Sequence, residues 1–144
     1  MAPETSSIKL ILVDDHPILR QGLVGLLQDE GFHVVGDVST QEEALALLSL
    51  SFADVVVVDL SLEHGSGMTV LESIRSKVPA ARTVVYSVHE DGDWVRCAFE
   101  AGAMGYVTKR EDPETLVECL RRVREGERFL SPRAARAVAN EMAQ

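Results

Sequence analysis

Acidic, hydroxyl and ammonium side chains stand at the ends of four apolar runs in the sequence. These side chains are Asp14 and Asp15, Asp59, Ser87, and Lys109. If the runs are strands of an open parallel sheet, their carboxyl ends lie along one edge, which is where such sheets bind ligands. The sequence therefore predicts a polar site built from three carboxylates, one hydroxyl and one ammonium.

The residue types at this edge indicate phosphoryl chemistry. Three crowded carboxylates repel one another unless a cation neutralises them, and Mg²⁺ prefers oxygen ligands and keeps several waters. An aspartate beside Mg²⁺ and a lysine can act as a nucleophile and form an aspartyl phosphate, while both cations share the charge of the transferring oxygens. The sequence contains neither of the glycine-rich patterns G-x-x-x-x-G-K and G-x-G-x-x-G that bind nucleotide phosphates.

The elements that must position these side chains alternate regularly along the chain. The predicted strands are Ile8–Val13, His33–Asp37, Asp54–Asp59, Thr83–Ser87 and Gly105–Thr108. The helical patterns between and after them centre on Leu19 to Leu27, Ala44 to Leu48, Val70 to Ile74, Val95 to Phe99 and Leu116 to Val123. Thr40 and Glu43 form a predicted capping box at the start of the second helix. Near-continuous apolar strands are typical of a parallel sheet covered on both faces, so the pattern predicts a three-layer α/β sandwich of five βα units.

The C-terminal part of the sequence looks different from these repeats. After Gly126, Ser131-Pro132 opens an Ala- and Arg-rich helical stretch that reaches Gln144. We interpret it as an appendage rather than a sixth βα unit. The predicted domain organisation is therefore one domain over residues 1–130 and a linking helical extension over residues 131–144.

Composition and charge exclude several classes of protein. The chain has 144 residues, 46% of them hydrophobic, a formal net charge of −9 and no apolar run as long as a membrane span. The first 109 residues carry 7 basic and 16 acidic side chains, whereas the rest are balanced, so a direct role in DNA binding is disfavoured. No signal peptide is recognisable, and Cys97 and Cys119 lie among helical apolar positions, which indicates reduced thiols and a cytoplasmic location.

Four separated motifs resemble the receiver domains of response regulators, the CheY-like family. They are Leu12-Val13-Asp14-Asp15-His16-Pro17, Val58-Asp59-Leu60 with Gly67, Tyr86-Ser87-Val88, and Ala101-Gly102-Ala103-Met104-Gly105-Tyr106-Val107-Thr108-Lys109. The resemblance covers roughly residues 7–127. It implies a flavodoxin-like (βα)5 fold with a parallel five-stranded sheet in the order 2-1-3-4-5.

The resemblance also implies a role for each residue of the predicted site. Asp59 is expected to be the phosphorylated residue, with Lys109 and Ser87 assisting. The metal ligands implied by the resemblance are Asp14, Asp15, Asp59 and the backbone carbonyl of Ser61. Ser87 and Tyr106 are expected to be the switch residues, Tyr106 being a half-buried strand aromatic that rotates. Such a domain is not an enzyme beyond catalysing its own phosphorylation and dephosphorylation.

Two further segments resemble the NarL/LuxR subfamily. These are Asp15-His16-Pro17 and Gly126-Glu127-Arg128-Phe129-Leu130-Ser131-Pro132. The resemblance implies a two-component transcription regulator that receives its phosphoryl group from a sensor histidine kinase, forms a homodimer on phosphorylation and does not involve a membrane. It would bind DNA only through a C-terminal helix-turn-helix domain that is absent from this chain, so we expect either a receiver fragment or a natural stand-alone receiver.

Several alternatives stay open at this point. The chain could be a pseudo-receiver, an interaction module that is never phosphorylated. A flavodoxin-like FMN protein is disfavoured, because Asp14-Asp15 would repel a phosphate. His16, His33, His64 and His89 show no metal-ligand spacing and are interpreted as surface or capping residues. Glu63 stands where this family usually has Pro, which predicts a looser loop after Asp59. Both the helix four–strand five–helix five face and the helix one–helix five face remain candidates for dimerisation.

Overall fold

A computed structural model of the chain describes residues 7–62 and 65–143. The expectations for Glu63 and His64 therefore fall outside the described residues. The strands are β1 Lys9–Val13, β2 His33–Val38, β3 Val55–Val58, β4 Arg82–Ser87, β5 Gly105–Thr108 and β6 Phe129–Leu130. The helices are α1 Pro17–Asp29, α2 Gln41–Leu50, α3 Gly67–Lys77, α4 Gly92–Glu100, α5 Pro113–Arg124 and α6 Pro132–Met142.

The strands form one parallel sheet in the order β2-β1-β3-β4-β5-β6. Helices cover both faces, so the predicted flavodoxin-like three-layer α/β fold is confirmed. The order 2-1-3-4-5 is also confirmed for the first five strands. The two-residue strand β6 extends the sheet beyond the prediction. Within the described ranges, no helix is long and apolar enough to cross a membrane.

Alternating side chains of each central strand enter two separate hydrophobic cores. On β1, Ile11 and Val13 contribute to the core beneath α2, α3, α4 and α6, whereas Leu10 and Leu12 contribute to the core beneath α1 and α5. All four valines of β3 are buried. Burial on both faces explains why the sequence shows continuous apolar runs instead of alternation. The two cores hold the strand ends, and hence the polar edge of the sheet, in fixed register.

The predicted capping box opens α2, with one change of partner. The Glu43 backbone N–H donates to Thr40 Oγ1 at 3.1 Å, as predicted. The Glu43 carboxylate accepts from the Ser39 backbone N–H at 3.0 Å and from the Ser39 hydroxyl at 3.2 Å. Two otherwise unpaired polar groups before the helix are thereby satisfied by side chains.

The C-terminal stretch is a sixth βα unit, so our interpretation of it as an appendage was wrong. The Phe129 N–H donates to the Met104 carbonyl at 3.0 Å, and the Ser131 N–H donates to the Tyr106 carbonyl at 2.9 Å. After β6, α6 packs on α4 more extensively than any other two helices in the described chain pack together, and its Ala134 is completely buried. A two-residue strand is too short to produce a recognisable apolar pattern in the sequence.

The carboxylate of Glu111 connects the end of β5 with the start of α6. Its Oε1 accepts from the Thr108 N–H at 3.2 Å and from the Thr108 hydroxyl at 3.1 Å, and its Oε2 accepts from the Arg133 N–H at 2.8 Å. Burial raises the pKa of Glu111, but hydrogen bonds from Ser131, Arg133 and Thr108 outweigh it and lower the pKa overall. The ionised form of Glu111 therefore stabilises the folded state.

We expect Glu111→Gln to lower the free energy of unfolding by about 1–2 kcal/mol at neutral pH, because the amide NH2 cannot accept from the Arg133 N–H. A carboxyl group whose pKa is lower in the folded state than in the unfolded state stabilises the fold at pH values above its unfolded pKa. This stabilisation is lost as the pH falls through the folded pKa. The difference from the wild type should therefore shrink at a pH of about 3. Urea unfolding at the two pH values measures it, with Glu72→Gln on the exposed side of α3 as the control. An equal loss at both pH values would contradict the role of the charge.

Candidate functional site

The predicted polar side chains meet at the carboxyl edge of the sheet. The Lys109 ammonium Nζ lies 2.9 Å from Asp14 Oδ2 and 3.0 Å from Asp59 Oδ2, and so links the ends of β5, β1 and β3. The side chain of Asp59 is only 2% exposed and that of Asp14 8%, whereas Asp15 is less buried. The arrangement is a nearly buried ion cluster that opens to solvent on the Asp15 side.

Close packing behind Asp59 fixes its backbone. A Cβ added to Gly67 would lie 2.5 Å from the Asp59 carbonyl oxygen and from the Leu60 Cα, so only glycine allows α3 to begin this close to the end of β3. The Ser61 backbone N–H donates to Asp59 Oδ1 at 3.1 Å. The two carboxylate oxygens of Asp59 thus have different partners, Ser61 on one side and Lys109 on the other.

Burial and charge act against each other on the ionisation of this cluster. Burial raises the pKa of Asp59, and the Asp14 charge adds to the effect, while the Ser61 N–H and the Lys109 ammonium lower it; the net pKa is raised. For Lys109, burial lowers the pKa, but its contacts with Asp14 and Asp59 outweigh burial and raise it. Lys109 therefore remains protonated at neutral pH and is the fixed positive charge of the cluster.

His16 is exposed, as its interpretation as a surface residue expected, but it also contacts this cluster, which sequence reasoning missed. Its Nδ1 lies 2.9 Å from Asp14 Oδ1, 3.4 Å from Asp15 Oδ1 and 3.6 Å from Asp59 Oδ2. Although it precedes α1 directly, its side chain makes no capping hydrogen bond there. Its position next to Asp14-Asp15 in the sequence was the available signal.

The donor atoms fit a small divalent cation. One ligand atom each from Asp14, Asp15, His16 and Asp59 can be chosen so that all four lie within 4.8 Å of one another. Three of the four are carboxylate oxygens, the ligand type that Mg²⁺ takes in proteins. The acidic cluster predicted from the sequence is therefore present, and its chemistry suits Mg²⁺.

The two predicted switch residues lie on the neighbouring strands β4 and β5, where Tyr106 pairs with Val85, two residues before Ser87. The Ser87 side chain is fully buried, and its Oγ accepts from the His89 backbone N–H at 3.2 Å. Tyr106 is fully buried rather than half-buried as expected, because its ring faces the core beneath α4, and its hydroxyl donates to the His89 carbonyl at 2.7 Å. Burial raises the pKa of Tyr106, and the nearby Ser87 hydroxyl counteracts this in part.

His89 also connects the loops after β3 and β4. Its Nε2 lies 2.6 Å from the Ser61 hydroxyl, and its ring stacks on Trp94 with centroids 4.1 Å apart and an angle of 12°. The loop after Asp59 is therefore in hydrogen-bond contact with the loop after Ser87. No sequence pattern indicated this contact, because nothing in the spacing of Ser61 and His89 distinguishes them from other loop residues.

The comparisons with known proteins agree with this geometry. The family profile described as "Response regulator receiver domain" matches residues 10–121. The nitrate/nitrite response regulator protein homolog of Haemophilus influenzae is 34% identical over 125 residues, which cover 86% of this chain and 60% of that protein. The nitrate/nitrite response regulator protein NarP of Escherichia coli is 33% identical over 132 residues, covering 91% of this chain and 61% of that protein. The chain thus spans about three fifths of the length of these relatives.

Solved structures show the same relationship. A two-component response regulator of the LuxR family from Aurantimonas sp. SI85-9A1 superposes with a TM-score of 0.92 at 37% identity, covering 96% of this chain and 100% of that one. The isolated REC domain of RcsB from Salmonella enterica serovar Typhimurium, determined with the phosphomimetic BeF3⁻, gives a TM-score of 0.83 at 25% identity, covering 92% of this chain and 99% of that one.

We expect Asp59→Asn to raise the free energy of unfolding in metal-free buffer by roughly 1 kcal/mol at neutral pH, the low end of what replacing buried charges has gained elsewhere. A carboxyl group whose pKa is raised in the folded state destabilises the fold when it is ionised, and Asp59→Asn removes this destabilisation. Lys109 still pairs with Asp14 in the variant. Because the folded pKa is raised, Asp59 is neutral in the folded and the unfolded chain once the pH is below the ordinary pKa of aspartate, about 3.9, and the difference should vanish there. Urea unfolding in EDTA checks this; a less stable variant at neutral pH would show that the pairing with Lys109 outweighs burial.

Proposed function

The chain belongs to the response regulator receiver domain family, in its NarL/LuxR branch, and we propose that Asp59 accepts a phosphoryl group from a sensor histidine kinase. The observation that carries this proposal is the placement of one nearly buried carboxylate between a lysine ammonium and two further carboxylates. Proteins of this family are phosphoryl-accepting switch domains rather than metabolic enzymes. We infer that this one catalyses only its own phosphorylation and dephosphorylation, in the cytoplasm.

The residues of the cluster divide the chemistry among them. Asp14, Asp15, Asp59 and the Ser61 carbonyl would hold Mg²⁺. When bound, Mg²⁺ supplies positive charge that neutralises the carboxylates and the transferring phosphoryl oxygens. An Asp59 carboxylate oxygen forms the new bond to phosphorus while the bond from phosphorus to the kinase imidazole nitrogen breaks. The Lys109 ammonium, which lies 3.0 Å from Asp59 Oδ2, can then pair with an oxygen of the phosphoryl group.

The Ser61 N–H and Lys109 keep Asp59 reactive despite its burial. A nucleophilic carboxylate must be ionised, and burial alone would favour the neutral acid. The hydrogen bond from Ser61 and the ammonium of Lys109 both favour the charged form. Each of them occupies one carboxylate oxygen, so the orientation of the nucleophile is fixed before the phosphoryl donor arrives.

We assign to Ser87 and Tyr106 the conversion of this chemistry into a conformational change. The Ser87 hydroxyl now accepts a hydrogen bond from the His89 backbone N–H. When it bonds a phosphoryl oxygen on Asp59 instead, the hydroxyl moves away from His89. The Tyr106 hydroxyl holds the carbonyl of the same residue, His89. Phosphorylation would thus favour one of the alternative conformations of the loop that contains His89. It would shift the population of existing conformations and would not create a new one.

The output that we propose is regulation of transcription in a longer protein. The segment 131–144, whose helix α6 packs on the receiver, would lead from residues 1–130 to a helix-turn-helix domain, and DNA would be bound only by that domain. The acidic charge of the first 109 residues supports this division of roles, because a negative surface repels phosphates. A homodimer formed on phosphorylation would place two such domains together.

A pseudo-receiver that is never phosphorylated is the second candidate function. It would retain the fold and the interaction surfaces without the chemistry. The complete set of Asp14, Asp15, Asp59, Ser87 and Lys109 at the sheet edge favours the phosphorylated switch. A single phosphorylation assay distinguishes the two.

We expect acetyl phosphate and Mg²⁺ to add the mass of one phosphate to the wild type, and Asp59→Asn to add none while keeping its fold. The matched control is Asp54→Asn at the opposite end of β3, where an amide oxygen can still accept from the Lys9 N–H. Intact-mass spectrometry after acid quenching gives the stoichiometry, with EDTA as a second control. Full incorporation in Asp59→Asn would assign the phosphoryl group elsewhere, and no incorporation in the wild type would favour the pseudo-receiver.

We expect Ser87→Ala to incorporate the phosphoryl group but to lose most of the response to it. Without the hydroxyl, the phosphoryl oxygen has no contact that pulls on the His89 loop. Sedimentation with and without beryllofluoride measures self-association, and Trp94 fluorescence measures the loop through its stacking on His89. Thr83→Ser, on the same strand and away from the site, serves as the control. A full response in Ser87→Ala would place the coupling elsewhere.

A further inference from the structure

The helix α6 is fitted closely against α4. A Cβ added to Gly92 would lie 2.8 Å from the Ala137 carbonyl oxygen and 3.0 Å from the Glu141 Cβ. The backbones of the two helices therefore approach each other closely at Gly92. Ala134 is completely buried beneath this contact, and Val138 packs against the same core. Arg96 of α4 forms an ion pair with Glu141 at the far end of α6. The helix therefore covers the α4 face that follows the switch loop.

Two carboxylates from the loops around the phosphorylation site hold the first turn of α6. Glu111, two residues after Lys109, accepts the Arg133 backbone N–H. Glu90, three residues after Ser87, places its Oε1 3.6 Å from the Arg133 guanidinium and 3.8 Å from that of Arg110. Each loop that carries a proposed phosphoryl-binding residue thus also carries a contact to α6.

The contact from Glu90 is the weaker of the two. Its Oε1 reaches Arg133 at more than hydrogen-bond distance, and its Oε2 is buried without a hydrogen-bond partner among the described residues. Leaving a buried carboxylate oxygen without a hydrogen bond costs free energy. This cost reduces the free-energy difference between the present arrangement of the loop and alternative arrangements in which that oxygen is paired. Glu111, by contrast, accepts three hydrogen bonds with good geometry. We therefore regard Glu111 as the fixed anchor of α6 and Glu90 as the movable one.

A short chain of contacts connects Ser87 with Glu90. The Ser87 hydroxyl accepts from the His89 N–H, and the Tyr106 hydroxyl donates to the His89 carbonyl, which belongs to the peptide group that His89 shares with Glu90. A shift of the Ser87 hydroxyl towards Asp59 removes the first of these bonds. The peptide and the Glu90 side chain are then free to move relative to Arg133.

We propose that α6 is a phosphorylation-controlled strap, packed on α4, tethered at its first turn to the loop after β4 by Arg133 and Glu90, and loosened when Ser87 engages a phosphoryl group on Asp59. The inference rests on the proposed function and adds to it the element that moves. By linkage, the strap and the phosphoryl group affect each other equally, so variants that loosen α6 also bind a phosphoryl mimic more tightly. Loosening α6 would partly withdraw Ala134 and Val138 from the core beneath α4, so their exposure accompanies the movement.

Amide hydrogen exchange of the peptide covering residues 132–143 tests the proposal in the full chain. Beryllofluoride with Mg²⁺ should accelerate exchange in this peptide by roughly fivefold or more, the lower range of coupling between two sites. Fluorine NMR of the bound beryllofluoride, recorded on the same sample, reports whether the site is loaded. Unchanged or slower exchange in a loaded sample would overturn the strap but leave the proposed function intact. Absence of a bound fluorine signal, together with no phosphate incorporation, would instead overturn the proposed function.

Variants of the movable contact make the test specific. Glu90→Gln and Arg133→Gln should each exchange faster than the wild type without beryllofluoride, respond to it by less than twofold and bind it more tightly. The double variant should add nothing to either single variant, because both remove the same contact. Glu72→Gln on α3 controls for loss of an exposed charge. A wild-type response in Glu90→Gln, or additive effects in the double variant, would show that this contact does not control α6.

Discussion

The ammonium of Lys109, held between the carboxylates of Asp14 and Asp59, is the interaction on which the rest of the site depends. It places one positive charge among buried negative ones at the edge of the sheet. Without it, two nearly buried carboxylates would face each other and lose the ammonium that pairs with both, which is costly in a medium of low dielectric constant. The constraint requires the ends of β1, β3 and β5 to be held in register, and the two apolar cores on either side of the sheet do this.

His89 carries the connection from this cluster to the rest of the molecule. Its backbone N–H, its carbonyl and its ring contact Ser87, Tyr106 and Ser61, respectively. The loops after β3 and β4 therefore cannot rearrange independently of each other or of Tyr106. Under the proposed function, phosphorylation of Asp59 would act on the rest of the molecule through His89, as is expected where a switch is built from bistable loops on a rigid sheet.

The sixth βα unit changes which surfaces are available to partners. With α6 against α4, and β6 beyond β5, one of the two faces considered for dimerisation is partly covered by the chain itself. The face formed by α1 and α5 is not covered in this way within the described residues. If α6 is the strap proposed above, the choice between the faces would depend on whether α6 stays docked.

The sequence by itself determined the fold class, the first five strands of the sheet and the five polar side chains at its edge. Those features follow from short-range patterns, since apolar runs, helix caps and strand-end residues are all visible within a few positions. Only the tertiary structure decided that His16 faces the carboxylates, that Tyr106 is fully buried, and that Ser61 contacts His89 across 28 positions of sequence. It also decided that Glu90 and Glu111 hold α6, because such contacts depend on loop conformation and side-chain direction, which no local pattern specifies.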